Sequence, residues 1–338
     1  MPHYNIALIG FGNVGRALAR LLLEKRGELA SRYDLSFTVT AIATGRHGVV
    51  INQDGIDLER ALRVENLSAL SDSIAPSDAC EFICKSNADI LFENTPVNYK
   101  SGQPAVDCIR TALECGMHVI TANKGPVVHA YRELTEIAEN KGRRFYFESA
   151  VMDGAPVFAL FREALPATNL LSFRGVLNST TNVILTRMEN GESFDQAVIY
   201  AQEVGLAETD PSGDIDGWDA AVKVAALSTV LMGVPVVPSE VDREGIRSLT
   251  PERIAHATKV GKRWKLICSA EKTGDTVNAK VAPEMVGPET PFYSIEGSTS
   301  IVQFTTDTLP ELSLIEGNPG PDTTAYGLLA DFINAVTG

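Results

Sequence analysis

The sequence predicts an α/β protein: a parallel sheet covered by helices on both faces, joined to an α+β portion built on a mostly antiparallel sheet. Three observations predict it. The chain's 338 residues exceed the roughly 250–300 at which one hydrophobic core stops growing. From Tyr4 to about Ser149, short β-branched runs alternate with helical patterns, as a doubly covered parallel sheet requires. After Glu148 that alternation stops, and helices and strands come in blocks.

In order, the first portion reads as strands over Tyr4–Ile9, Phe37–Thr44, Ala88–Phe92, His118–Thr121 and Arg144–Glu148. Helical patterns over Val14–Ala30, Gln103–Glu114 and Val127–Asn140 lie between them, and the last two stop at Gly116 and Gly142, where helix ends favour glycine. In the second portion "GAPVFALFREAL" starts a helix and "LLSFRGVLNS" reads as a strand. Two or three helices follow to about Gly233, and residues 276 to 316 return to strands. The closing "DTTAYGLLADFINAV" is helical, with Asp322 or Thr323 able to cap it.

Composition excludes several classes. A formal charge of -14 repels nucleic-acid phosphates and anionic lipid, and the basic residues are scattered. Residues 1 to 10 lack a basic leader region, and "VAALSTVLMGVPVV" is too short to cross a bilayer, so a cytoplasmic protein is expected. Cys80, Cys84, Cys108, Cys115 and Cys268 form no CxxC pair and fit reduced core thiols. The five histidines show no metal-ligand spacing.

Gly10-Phe11-Gly12-Asn13-Val14-Gly15 follows the first strand and opens the first helix. In that context the glycines permit a tight turn and close backbone approach to a pyrophosphate, and the helix N-terminus offers N–H donors, which predicts a bound dinucleotide. The second strand runs out as Thr44-Gly45-Arg46-His47 with no carboxylate to take a ribose 2′-hydroxyl, while Asp34 stands at its other end. Arg46 could pair with a 2′-phosphate, which favours NADP over NAD.

Lys124, in "VITANKGPV", stands just beyond a strand, at the end where open α/β sheets bind ligands. The stretch 201 to 223, "AQEVGLAETDPSGDIDGWDAAVK", crowds acids beside one lysine. A helix starting near Ile215 would put Asp216, Asp219 and Lys223 on one face, with Glu208, Asp214 and Asp210 converging near its N-terminus. Two readings fit: a solvated helix start whose acids favour the dipole, or a pocket that holds an amino acid's ammonium and orients a proton-donating amine. In the second, Asp219 orients Lys223, and Lys124, if close, offsets the rise in its pKa that the acids cause.

These residues carry a resemblance to homoserine dehydrogenases, whose signature 201 to 223 matches throughout. "ENTP" at 93 to 96, "TANKGP" at 121 to 126, "ESAVMDGAPV" at 148 to 157, "GVLNSTTN" at 175 to 182 and "TAYGLLADF" at 324 to 332 support it. The resemblance implies NAD(P)-dependent interconversion of L-aspartate 4-semialdehyde and L-homoserine, on the route to threonine and methionine. It also implies a Rossmann-like cofactor domain, residues 1–149 completed by the helix at 320–338, and a substrate-binding and dimerisation domain, 150–319, forming a homodimer.

By the same resemblance Lys223 is the proton donor and Lys124 a second catalytic lysine near the cofactor. Glu208, Asp214, Asp219 and Thr180 line the substrate pocket, and Thr95 touches the cofactor beside the glycine loop. A monovalent cation such as sodium would lie on the Glu148 carboxylate and the carbonyls of Val151, Asp153 and Ala155. Ser179 departs from the usual glycine, "GNPGPDTTA" from the usual GAG run, and Ser298-Thr299-Ser300 from a frequent Asn-Ala pair. The alternatives are a cysteine-dependent semialdehyde dehydrogenase, through Cys115 or Cys268, and a dinucleotide-binding sensor or scaffold without catalysis.

Overall fold

The computed structural model describes residues 1–70 and 76–338. Its contacts divide the chain into two units, Met1–Pro156 with Gly320–Gly338, and Val157–Pro319.

The first unit is built on a sheet of order β3-β2-β1-β4-β5-β6. Its strands are β1 (His3–Ile9), β2 (Ser36–Ala43), β3 (Val49–Ile51), β4 (Ile90–Glu93), β5 (His118–Thr121) and β6 (Phe145–Tyr146). All pairings are parallel except β3 on β2, a short edge strand absent from the sequence reading. The helices are α1 (Asn13–Tyr33), α2 (Leu58–Arg63), α3 (Ala79–Lys85), α4 (Ala105–Glu114), α5 (Lys124–Asn140) and α12 (Pro321–Thr337). Helices α2 and α3 are too short to show a periodicity, and only their Asp57 and Asp78 caps could have marked them. Gly116 and Gly142 take the left-handed conformation expected after a helix.

The expected strand to Glu148 stops at Tyr146, because Glu148–Ala150 closes into a 3₁₀ turn. Its first amide donates to the Asp331 carboxylate at 2.7 Å. Helix α12 packs along α1 and places Phe332 against Tyr4 and Phe92, edge to face, inside the core that Leu18, Leu22 and Leu8 also fill. Its N-cap is Gly320, not Asp322 or Thr323; the Thr323 hydroxyl accepts instead from the Gly320 amide at 2.8 Å.

The second unit carries a sheet of order β12-β11-β7-β9-β10-β8, formed by β7 (Leu170–Val176), β8 (Asp242–Arg243), β9 (Arg263–Thr273), β10 (Thr276–Val286), β11 (Ser300–Thr306) and β12 (Leu312–Glu316). It is antiparallel except for β8 on β10. The long β9 was not read as a strand in sequence, because Arg263 and Lys265 interrupt its apolar run. Lys265 is nonetheless fully buried: its amine donates to Asn182 Oδ1 at 2.8 Å and to the Ile295 carbonyl, and burial pulls it down to about 8.

Helices α6 (Val157–Ala159), α7 (Ser179–Glu189), α8 (Phe194–Glu203), α9 (Ser212–Ile215), α10 (Trp218–Leu231) and α11 (Pro251–Lys259) complete this unit. The helix expected from "GAPVFALFREAL" is a single α turn continued by a π turn at Leu160–Ala164. Helix α10 packs on β9 and β10, burying Val222, Val224, Ala225 and Ala226 completely.

The thiols divide. Cys108 and Cys268 are buried, but Cys80, Cys84 and Cys115 are exposed, which corrects the expectation of core thiols throughout.

Candidate active site

The first group of site residues stands at the carboxyl ends of β1, β4 and β5, where strand order reverses and open sheets receive ligands. Gly10 has φ +90, and a Cβ there would fall 2.4 Å from the Asn94 carbonyl oxygen, so only glycine lets the β1 and β4 corners meet. A Cβ on Gly15 would fall 2.3 Å from the Gly10 carbonyl, whereas one on Gly12 would meet nothing within 4 Å. The loop is thus closed behind and open in front. Gly12 caps α1, and Asn13 and Val14 begin it with no acid in the first turn, leaving the amide donors and the positive end of the dipole to an anion.

Past β2, the Thr44 hydroxyl accepts from the His47 amide and closes a turn that leaves Arg46 exposed. Asp34, in the left-handed conformation after α1, pairs with the N-terminal amine before β2, so no carboxylate serves the far end of that strand.

At the end of β4 lies Glu93, a group the sequence reading passed over within "ENTP". It is fully buried and accepts from the Thr95 amide (2.9 Å), the Thr95 hydroxyl and the Thr121 hydroxyl (2.8 Å). Burial raises its pKa against those hydrogen bonds. Thr95 is therefore held by Glu93, and its carbonyl accepts from Asn123 Nδ2 at 3.2 Å. Asn123 caps α5 through the Gly125 amide at 2.9 Å, which fixes Lys124 as the first helical residue, half-buried, immediately beyond β5.

The second group lies within the other unit. Gly217, with φ +77, separates α9 from α10, so α10 begins at Trp218 and not near Ile215. Asp216 consequently leaves the face expected for it and pairs with Arg247. Asp219 falls in the first turn of α10 and Lys223 one turn on, with Nζ 3.4 Å from Asp219 Oδ2. The amine also donates to the Leu177 carbonyl, at the end of β7, at 2.6 Å. The Lys223 side chain is 16% exposed, so it is held at the protein wall and does not extend into solvent.

Asn178, the cap of α7, joins the cluster. Its Nδ2 donates to Asp214 Oδ1 at 2.6 Å and to Asp219 Oδ2 at 3.1 Å, while its Oδ1 accepts from the Thr181 amide. Asp214 is held above the usual range, first by burial and next by the Asp219 charge. Thr180 is buried and donates to the Leu206 carbonyl at 2.9 Å, beside Asp214. Glu208 stands apart from these contacts as an exposed residue of the same loop. Asn178 escaped the sequence reading although "GVLNSTTN" was noticed; an Asn followed by Ser-Thr-Thr before an apolar run is a helix-cap signal.

The thioester alternative fails on its nucleophile. Burial pushes the Cys268 thiol up to about 12 and the Cys115 thiol up to about 11, so neither is a ready thiolate.

The glycine loop at the switch point of the first unit's sheet marks a dinucleotide-binding protein. The chain belongs to the homoserine dehydrogenase family: the homoserine dehydrogenase family model matches residues 156–333, and the model of the homoserine dehydrogenase NAD-binding domain matches residues 10–148. It is accordingly an NAD(P)-dependent enzyme of amino-acid biosynthesis, acting between L-aspartate 4-semialdehyde and L-homoserine. The chain is 34% identical to the NAD(+)-dependent homoserine dehydrogenase of Pseudomonas canavaninivorans, over 99% of this chain and 96% of that one. It is 36% identical to a homoserine dehydrogenase of Methanocaldococcus jannaschii, over 98% of each. A hyperthermophilic archaeal homoserine dehydrogenase solved in complex with NADPH superposes with a TM-score of 0.84 at 31% identity, covering 99% of this chain and 98% of that one.

Proposed function

We propose that Lys223 is the proton donor to the aldehyde oxygen of the semialdehyde, held by Asp219 and the Leu177 carbonyl. The observation that carries this reading is the amine's position, 3.4 Å from Asp219 Oδ2 and 2.6 Å from the carbonyl, beside a second, half-buried acid, Asp214. The dinucleotide supplies the hydride; the oxygen that becomes an alkoxide needs one proton, and a fixed ammonium delivers it without reorganisation. Asp214, Asp219 and the exposed Glu208 take the substrate's ammonium end, with Asn178 holding Asp214 and Asp219 and Thr180 beside Asp214 at the pocket's border. In the reverse direction Lys223, deprotonated, takes the hydroxyl proton of homoserine.

Lys223→Ala is expected to lower kcat for homoserine oxidation by roughly 10²–10⁴-fold with the fold retained by circular dichroism. A variant within a few-fold of wild type removes the role.

On the cofactor side, the glycine loop with Asn13 and Val14 takes the pyrophosphate, and Thr95 and Lys124 border the nicotinamide half, Lys124 acting as the second catalytic lysine. Exposed Arg46 with no carboxylate at the end of β2 supports NADP as the preferred cofactor, NAD being accepted less well.

A monovalent cation fits the loop from Glu148 to Ala155. Glu148 is buried and its amide donates to the buried Asp331 carboxylate at 2.7 Å, and its own carboxylate with the carbonyls of Val151, Asp153 and Ala155 would give the all-oxygen set that a hard ion such as sodium prefers. Calorimetric titration with sodium chloride against choline chloride tests it; equal heats remove the site. No described helix is long and apolar enough to cross a membrane, and the enzyme is proposed to act in the cytoplasm as a homodimer joined through the sheet of its second unit.

A further inference from the structure

Helices α3 and α4 bring together thiols that the reaction does not use. Cys80 and Cys84 lie four residues apart on α3 and so share one face. Cys115 caps the end of α4. The sulfurs of Cys84 and Cys115 are 3.3 Å apart, and the Thr111 hydroxyl of α4 donates to Cys80 Sγ, also at 3.3 Å, so the cysteine face of α3 is seated on α4. Sulfurs at 3.3 Å are in van der Waals contact, roughly 1.3 Å beyond disulfide length, a gap that small side-chain rotations close. Both cysteines are exposed, so an oxidant reaches them. Among the described residues no group of three or more His, Cys, Asp or Glu is placed to hold a metal ion, which sets aside a thiolate metal site here.

We propose that Cys84 and Cys115 form an oxidation site, closing to a disulfide when the protein meets a peroxide. The step balances. The Cys84 thiolate attacks one peroxide oxygen, forming S–O as O–O breaks, and the departing oxygen takes a proton and leaves as water. Cys115 sulfur then attacks the resulting sulfenic sulfur; S–S forms, S–O breaks and a second water leaves. Two thiols lose two electrons and the peroxide becomes two waters. Partial burial and the hydrogen bond with Cys84 hold Cys115 up at about 11, so it is not the first sulfur to attack the peroxide.

The bond would enclose β4 and the Glu93–Thr95 corner in one covalent loop, restricting the unfolded chain. Both sulfurs lie near the amino edge of the sheet, since α3 leads into β4 and α4 leads into β5, whereas Glu93 and Lys124 stand at the carboxyl edge. Oxidation should therefore stabilise the enzyme and leave its turnover within about two-fold.

The test uses the full-length reduced enzyme exposed to a few equivalents of hydrogen peroxide, alkylated with iodoacetamide, and digested without reduction for mass spectrometry. The expected result is a peptide pair linked through Cys84 and Cys115, with Tm raised by roughly 5–10 °C and restored by dithiothreitol. Cys84→Ser should abolish both changes and Cys80→Ser should keep both. Recovery of Cys84 and Cys115 as alkylated or separately over-oxidised residues in the wild-type enzyme overturns the proposal, as does a link from Cys84 to Cys80 or a linked protein with unchanged Tm.

Discussion

Lys223 shows how a single residue's meaning depends on what holds it. In water its ammonium would lose its proton only near pH 10.4, and the proton-donor role proposed for it rests on its being fixed by the Asp219 carboxylate and the Leu177 carbonyl. Arg46 is the opposite case, an exposed side chain whose role lies wholly in a group it would meet. A charge-assisted, two-pronged contact with a 2′-phosphate contributes about 1.5–3 kcal/mol. Arg46→Ala is therefore expected to raise KM for NADP by roughly 10–100-fold and to leave KM for NAD within two-fold, measured by steady-state kinetics with each cofactor. Equal effects on both would end the argument for a phosphate contact. Arg46, Lys124 and Lys223 drew notice in the sequence because each is a cation in a setting of chain punctuation. Glu93 and Asn178 were not, because a buried acid and a capping amide resemble ordinary strand-end and loop residues until their partners, 28 and 36 to 41 residues away, are known.

At the scale of elements, the β1–α1 turn and the α9–α10 turn do the positioning. The first rests on Gly10: an alanine there must accept φ +90 and a Cβ 2.4 Å from the Asn94 carbonyl. Left-handed strain alone costs about 1–3 kcal/mol, and moving Asn94 disturbs the Glu93–Thr95 corner as well. Gly10→Ala is expected to lower stability by at least about 2 kcal/mol in urea unfolding and to weaken NADPH binding more than tenfold by fluorescence titration; a variant that binds as wild type would show the corner to be pliable. The second turn corrects the sequence reading. The spacing of Asp216, Asp219 and Lys223 suits one helix face, but Gly217 interrupts the helix, and Arg243, stacked on Trp218 and bonded to the Asp216 carbonyl, together with Arg247 holds Asp216 away. Periodicity assumes an unbroken helix, and a single left-handed glycine invalidates it.

For the whole molecule, the C-terminal helix returns to the unit in which the chain began, and the sheet of the second unit leaves an edge and part of a face to be covered. Ile315 on the edge strand β12 is 63% exposed and lies opposite buried Ile301. A large apolar side chain on an open edge invites association, which suits the proposed homodimer. Ile315→Glu is expected to shift the mass seen by light scattering toward the monomer, with the circular dichroism spectrum unchanged; an unaltered mass would move the interface elsewhere.

The α/β class, the glycine loop and the acid-rich segment around Lys223 were legible in the sequence alone, because they depend on local periodicity, turn chemistry and close spacing along the chain. The tertiary structure alone decided that β3 runs antiparallel, that Lys265 is buried, that Asp216 pairs with Arg247, that Glu93 holds Thr95 and Thr121, and that Asn178 joins Asp214 to Asp219. Each of those depends on burial or on a partner distant in sequence, and the free energy of a polar group is set by the neighbours the fold brings to it.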